Sequence, residues 1–338
     1  MNEQYRVLIV DDSASMRQLL RLSIAADQRL IVAGEAANAD EARMMMRRFN
    51  PSVLTLDAEM PGKSGLEFLA ELMKYRPTPV VMFSSWMPRG SELGLEALSL
   101  GAVACLEKPE AARLRGSLRT LVETLVMAAH ANVSARKRSA TPSPAPTGSY
   151  DKLLMIGAST GGVEAIETLL AGFGENCPAT MITQHMPMTF LRNFATRLDQ
   201  RFGFKVGLAN DGDRLEQGRV LIAPGGGTHL EVSLSKDPRV RLTSGPKVSG
   251  HCPSVDRMFL SGVPQAARIV AMLMTGMGRD GAVGMAALRT AGAVTLGQSE
   301  ESCVVFGMPR AAGELAGVSE WVPLENAAER ALTLCRAV

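Results

Sequence analysis

Two groups of residues in this chain combine side-chain types that do chemistry with positions that could bring them together. The first is acidic. Asp11 and Asp12 follow the apolar run of residues 7–10, and Asp57 follows that of residues 53–56. In an open α/β sheet the carboxyl ends of neighbouring strands meet at one crevice. Three carboxylates there repel one another unless a cation sits among them, and hard oxygen donors in that number suit Mg²⁺. Ser84 follows the run of residues 80–83, and Lys108 follows a fifth expected strand, so a hydroxyl and an ammonium join the same edge. A metal, a carboxylate, a hydroxyl and a cation together make a site for phosphoryl transfer. Asp57 would attack, and Mg²⁺ and Lys108 would neutralise the equatorial oxygens. Asp11 and Asp12 could instead cap a helix beginning near Ser13, but that account leaves Asp57, Ser84 and Lys108 unexplained.

The second group centres on a serine. Gly157-Ala158-Ser159-Thr160-Gly161 fits G-x-S-x-G, a strand-to-helix turn that exposes a nucleophilic hydroxyl. The glycines permit the sharp turn, and the helix start behind it offers free N–H groups to a developing oxyanion. Glycine-rich turns also hold phosphates, but neither G-x-G-x-x-G nor G-x-x-x-x-G-K-[ST] fits here. A serine that only caps the following helix is the plainer alternative.

A nucleophilic serine needs a base, and the chain has four histidines. His130 adjoins a linker and His229 lies in a hairpin-like segment. His185 follows the strand-like residues 180–183, at the edge where Ser159 stands, so topology favours it; composition alone leaves His251 open. Asp280 is the acid close after the apolar run of residues 269–273. It could simply cap a helix over residues 282–288, although Gly276, Gly278 and Gly281 around it suggest a tight loop with close backbone approach. The resulting order, serine then histidine then acid, is permissible because triads are defined by geometry and roles.

These residues depend on strands to position them. The apolar runs at residues 7–10, 53–56, 80–83, 153–156, 180–183 and 269–273 suit strands buried on both faces of parallel sheets. Amphipathic stretches lie between them, one carrying Met16, Leu19, Leu20 and Ile24 on a single face. Residues 219–242 look hairpin-like around Gly225-Gly226-Gly227. Both halves therefore read as doubly wound α/β domains. The segment at 131–150 alternates Pro142, Pro144 and Pro146 with small residues after Arg136-Lys137-Arg138, and reads as an extended linker. The expected division is 1–127, a flexible linker over 128–150, and 151–338.

Composition bounds the function. A chain of 338 residues, 46% hydrophobic and 21% charged, can build two cores. A net charge of +2 argues against nucleic acid or a membrane surface as partner. No apolar run reaches the roughly 18 residues that span a bilayer, and no secretory signal is visible. The scattered, odd-numbered cysteines, five in all, suit a reducing cytoplasm and buried packing roles.

Residues 1–127 resemble a response-regulator receiver domain, on Val10-Asp11-Asp12-Ser13, Asp57 through Gly65, Phe83-Ser84-Ser85 and Lys108-Pro109. The resemblance implies a flavodoxin-like fold with Asp57 as phosphoacceptor, phosphorylated by a chemotaxis histidine kinase. It implies Mg²⁺ bound by Asp12, Asp57 and the backbone carbonyl of Glu59, with Asp11 assisting. Ser84 would bond the phosphoryl group and Lys108 would pair with it. One departure is Cys105, where receivers usually carry an aromatic switch residue. Residues 151–338 resemble the catalytic domain of the CheB chemotaxis methylesterases, on Gly157 through Gly162, Gln184-His185-Met186-Pro187, His251 through Asp256, Thr275 through Gly281 and residues 302–310. That resemblance implies Ser159 as nucleophile, His185 as general base, Asp280 as its orienting acid, a backbone N–H at Met277 in the oxyanion site, and no cofactor for the esterase. The implied substrates are glutamyl methyl esters and glutamines of chemoreceptors. The unphosphorylated receiver is expected to block the esterase and phosphorylation to release it. The rival readings are a non-catalytic adaptor and a nicotinamide oxidoreductase.

Overall fold

The computed structural model describes residues 4–85, 92–108, 114–134, 148–233 and 237–337. Pro109, the basic cluster at Arg136, Lys137 and Arg138, and Pro142, Pro144 and Pro146 lie outside them. The chain divides into two compact units, residues 1–134 and 135–338.

In the first unit, five parallel strands form a sheet in the order β2-β1-β3-β4-β5. They are β1 (Tyr5–Val10), β2 (Leu30–Ala36), β3 (Val53–Leu56), β4 (Val80–Ser84) and β5 (Ala104–Glu107). The helices are α1 (Ala14–Ala25), α2 (Ala39–Phe49), α3 (Gly65–Tyr75), α4 (Glu92–Leu100) and α5 (Leu114–Ala129). This is the flavodoxin-like strand order, whose ligand crevice lies between β1 and β3. Every residue of β3 and β4 is buried, as their unbroken apolar runs require. Ser84 is the last residue of β4 rather than the first after it. Helix α5 reaches Ala129 and Val133 lies in the core, so packed structure continues past residue 127.

The second unit holds a seven-stranded parallel sheet in the order β14-β13-β12-β6-β7-β9-β8. Its strands are β6 (Leu153–Ala158), β7 (Thr180–Gln184), β8 (Lys205–Leu208), β9 (Arg219–Ile222), β12 (Ile269–Leu273), β13 (Val294–Gln298) and β14 (Glu320–Val322). A separate antiparallel hairpin joins β10 (Thr228–Ser233) to β11 (Arg239–Ser244). The hairpin-like expectation therefore holds for residues after Gly227, whereas β9 pairs parallel with β7 and β8. The helices are α6 (Gly162–Ala171), α7 (Met188–Arg201), α8 (Val255–Gly262), α9 (Ala282–Thr290), α10 (Met308–Glu314) and α11 (Leu324–Cys335). Helix α6 packs with α11, and α8 packs with α9 and β10.

From β6 the chain moves through β7 to one side of the sheet, and later through β12, β13 and β14 to the other. The direction reverses between β6 and β12, and such a reversal opens a crevice at the carboxyl ends. At the opposite end of β6, Tyr150 bridges Arg336, and the Ala337 N–H donates to the Ser149 carbonyl at 3.1 Å. Among the described residues no helix is long and apolar enough to cross a membrane.

Candidate functional site

Ser159 and His185 each stand one residue past a paired position, because Ala158 is the register partner of Gln184. The His185 N–H donates to the Ala158 carbonyl at 3.1 Å. Asp280 belongs to the loop after β12, the neighbour of β6 on its other side. All three residues thus stand around the crevice where the sheet reverses.

His185 and Asp280 are hydrogen-bonded, Nε2 to Oδ2 at 2.8 Å. Asp280 is only 1% exposed, yet both its oxygens are satisfied. Oδ1 accepts from Ser254 Oγ at 2.8 Å and from the Asp256 N–H at 3.0 Å; Oδ2 also accepts from the Val255 N–H at 2.7 Å. These two N–H groups open helix α8, where the helix dipole favours an anion. Burial would raise the Asp280 pKa, but the bonds from His185, the Asp256 N–H and Ser254 outweigh it and hold the carboxyl below its usual range. Burial, with the nearby Asp280 charge, instead pushes Asp256 up. A charged Asp280 can only accept, which fixes the His185 proton on Nε2 and leaves Nδ1 as an acceptor. Among the described residues Nδ1 is buried with no hydrogen-bond partner.

Asp280 does not cap the helix after it. That cap is Gly281, without a side-chain bond. Ser159 is likewise no cap: the N-cap of α6 is Gly161, also without a side-chain bond. The Ser159 side chain is partly exposed and makes no hydrogen bond among the described residues, to His185 or otherwise. In free enzymes this contact is often long and closes when substrate binds. The Ser159 backbone, by contrast, is held from three directions. Its N–H donates to the Thr275 carbonyl at 3.0 Å, and its carbonyl accepts from Gln184 Nε2 at 2.8 Å and the Gly162 N–H at 2.8 Å. Gly161 has φ of 79°, and a Cβ there would lie 2.7 Å from Val304 Cβ. A Cβ on Gly276 would lie 2.8 Å from Ser159 Cβ, which puts the Gly276-Met277-Gly278 loop directly beside the serine. Met277 itself is exposed.

Sequence reasoning missed the supporting residues. Thr275 donates through Oγ1 to the Thr160 carbonyl at 3.0 Å, and its N–H donates to Gln298 Oε1 at 2.8 Å. His229 is fully buried; it accepts at Nδ1 from the Ser254 N–H at 3.2 Å and bonds the Pro246 carbonyl through Nε2 at 3.0 Å. It is therefore a strut beneath Ser254 rather than a base. A polar Gln184 ending a fully buried strand was the one legible signal.

In the first unit, Asp11 and Asp57 are buried and Asp12 is exposed. Lys108 Nζ lies 2.7 Å from Asp11 Oδ2 and 2.5 Å from Asp57 Oδ2. Burial raises the Asp11 pKa despite Lys108. For Lys108, burial would lower it, but the bonds to Asp11 and Asp57 prevail and it is raised. The helix-cap alternative fails here too. Ser13 caps α1, accepting from the Met16 N–H, while Asp11 Oδ1 accepts from the Ser13 N–H at 3.0 Å. One carboxylate oxygen from each of Asp11, Asp12 and Asp57 lies within 4.8 Å of the others. That all-oxygen donor set fits Mg²⁺. The Glu59 N–H reaches Asp57 Oδ1 at 3.4 Å, which brings its backbone to the same place. Ser84 ends β4 next to Lys108, whose N–H donates to the Ser84 carbonyl at 3.1 Å. Cys105 donates weakly from Sγ to the Gly94 carbonyl in α4 at 3.5 Å, and burial pushes its thiol up to about 12. The switch position thus holds a small, inert side chain tucked against α4.

Residues 154–331 match the family described as CheB methylesterase, and residues 7–119 match the response regulator receiver domain. Over 340 residues the chain is 48% identical to protein-glutamate methylesterase/protein-glutamine glutaminase 1 of Caulobacter vibrioides, with 98% of each chain covered. It is 45% identical over 335 residues to the protein of that activity from Escherichia coli K12, covering 97% of this chain and 96% of that one. The crystal structure of the Thermotoga maritima CheB methylesterase catalytic domain aligns with a TM-score of 0.52 at 30% identity, covering 56% of this chain and all of that one. A receiver followed by a hydrolase sheet, matched along nearly the full length of both curated relatives, means that this chain belongs to the CheB family of response-regulator protein-glutamate methylesterases/protein-glutamine glutaminases.

Proposed function

We propose that Ser159, His185 and Asp280 hydrolyse glutamyl methyl esters on chemoreceptors, under control of phosphorylation at Asp57. The observation that carries this is the His185–Asp280 pair, with an acceptor-only Asp280 and a His185 Nδ1 that is buried without a partner among the described residues, just past the strand end beside Ser159. Nδ1 takes the Ser159 proton as Oγ attacks the ester carbonyl. The tetrahedral oxyanion forms beside the Gly276–Gly278 loop, where the Met277 N–H stabilises it. Collapse expels methanol, which carries away the proton from His185. His185 then activates water, and hydrolysis of the acyl-serine leaves a glutamate and restores Ser159. The same attack on a glutamine side chain expels ammonia.

In the receiver, Asp11, Asp12, Asp57 and the Glu59 carbonyl would hold Mg²⁺, which supplies charge neutralisation at the phosphoryl oxygens when bound. A phosphohistidine of a chemotaxis kinase donates: an Asp57 oxygen attacks phosphorus and the P–N bond breaks. Lys108 exchanges its bond to Asp57 for one to a phosphoryl oxygen, and the Ser84 hydroxyl bonds another. A cytoplasmic location follows from these partners.

Methanol release from methylated receptor membranes tests the esterase, with and without a small phosphodonor. The wild-type chain is expected to be stimulated by the donor. Asp57→Asn is expected to keep basal activity and lose both phosphate incorporation and stimulation. Stimulation that survives in that variant would rule out Asp57 as the switch. Because α5 runs to Ala129 and Val133 lies in the receiver core, the deletion that takes the receiver away whole is residues 1–134. It is expected to raise basal activity, since an inhibited-to-active shift from 1:99 to 99:1 represents about 5.5 kcal/mol. Unchanged or lower activity after removal would count against restraint by the receiver.

A further inference from the structure

We infer that His251 is a positioning residue for the His185 imidazole; this rests on the hydrolase reading above and adds a residue to it. The two rings are stacked face to face, with centroids 3.7 Å apart and planes within 3° of parallel. The bond to Asp280 pins one atom of the His185 ring, Nε2. A ring pinned at one atom can still swing about its Cβ–Cγ bond, and that swing displaces Nδ1, the atom that must meet the serine proton. A flat surface against the ring removes the remaining freedom.

The backbone around His251 is built to hold such a surface still. Val248 and His251 exchange backbone hydrogen bonds, each 2.9 Å long. Between them Ser249 and Gly250 have φ of 50° and 85°, the pair of positive values that marks a type I′ turn. Three residues beyond His251, Ser254 donates to Asp280 Oδ1 at 2.8 Å. One short loop therefore fixes both partners of the proposed base, its acid through Ser254 and its ring plane through His251.

His251 also has the electrical character the role needs. Burial lowers its pKa to about 4, helped by His185 and Lys247 and opposed by Asp280. Near neutral pH it is an uncharged plate beside a ring that becomes positive during the reaction. Were His251 charged, it would oppose that step.

The test compares His251→Phe with His251→Leu in the full chain. Phenylalanine keeps a flat face without any proton to transfer; leucine fills the space without a flat face. Two readouts are needed: the rate at which a fluorophosphonate labels Ser159, and kcat and KM for methanol release. The leucine variant is expected to label and turn over roughly 10- to 100-fold more slowly, as for a catalytic group set slightly out of place, with KM little changed. The phenylalanine variant is expected to recover most of both rates. A leucine variant as fast as wild type overturns the inference. So does a phenylalanine variant as slow as leucine, which would mean that His251 carries a proton itself. If wild type labels no better than Ser159→Ala, the hydrolase reading fails and takes this inference with it.

Discussion

Replacing Ser159 by alanine is expected to lower methanol release from methylated receptors by about 10⁶-fold, the loss typical of a serine nucleophile acting with its base. The fold should hardly notice. The hydroxyl is partly exposed and makes no hydrogen bond among the described residues, while the turn is held by main-chain and neighbouring groups such as Thr275 and Gln184. The thermal midpoint should therefore match wild type, a surface change of this kind being worth about 0.5 kcal/mol or less. A variant that retains comparable activity would remove Ser159 from the chemistry, and one that unfolds would make the turn's integrity, not the nucleophile, the cause of the loss.

Asp280→Asn is expected to be nearly as damaging, for a different reason. The carboxylate accepts four hydrogen bonds, two at each oxygen. An asparagine offers one oxygen and one NH₂. With the NH₂ in the Oδ2 position, it faces the Val255 N–H, and His185 can bond it only by moving its proton from Nε2 to Nδ1. The ring then has no acceptor for the serine proton. With the NH₂ in the Oδ1 position, it faces the Asp256 N–H, which has no other orientation to take. Loss of the correct tautomer costs about 10⁴-fold in kcat, and a buried N–H facing another donor costs about 1–3 kcal/mol of stability. Unlike Ser159→Ala, this variant should lose activity and thermal midpoint together. Methanol release and a thermal melt on the same sample separate the two. Near-wild-type turnover in Asp280→Asn would show that the acid does not set the tautomer.

Much of this arrangement was legible in the sequence because strands buried on both faces announce themselves as apolar runs. The residue after each run then stands at a sheet edge by geometry alone. Asp57 could be placed that way, Ser159 by the G-x-S-x-G turn that follows its run, and His185 and Asp280 by the segments that follow theirs. The edge strands β8 and β14 went unseen, since four- and three-residue strands with exposed positions carry little periodicity. The holders of the site went unseen for another reason. Ser254 meets Asp280 across 26 residues of sequence and Thr275 meets Thr160 across 115, and no local pattern records such meetings. The choice between His185 and His251 was open on composition because both rings do reach the site, stacked on each other. Helix capping was a fair rival for Asp11, Ser159 and Asp280 until the caps themselves fell to Ser13, Gly161 and Gly281.

The pairing of Tyr150 with Arg336 carries a consequence for the order of the chain. The Ala337 N–H donates to the Ser149 carbonyl, so two segments of the second unit that are 188 residues apart in sequence lie side by side. They lie before the foot of β6, and that foot, Leu153, is about 20 Å from Ser159 if the strand rises its usual 3.3 Å per residue. A chain in which residue 337 ran on into residue 149, and which opened at an exposed loop elsewhere, would meet the same neighbours in the same places.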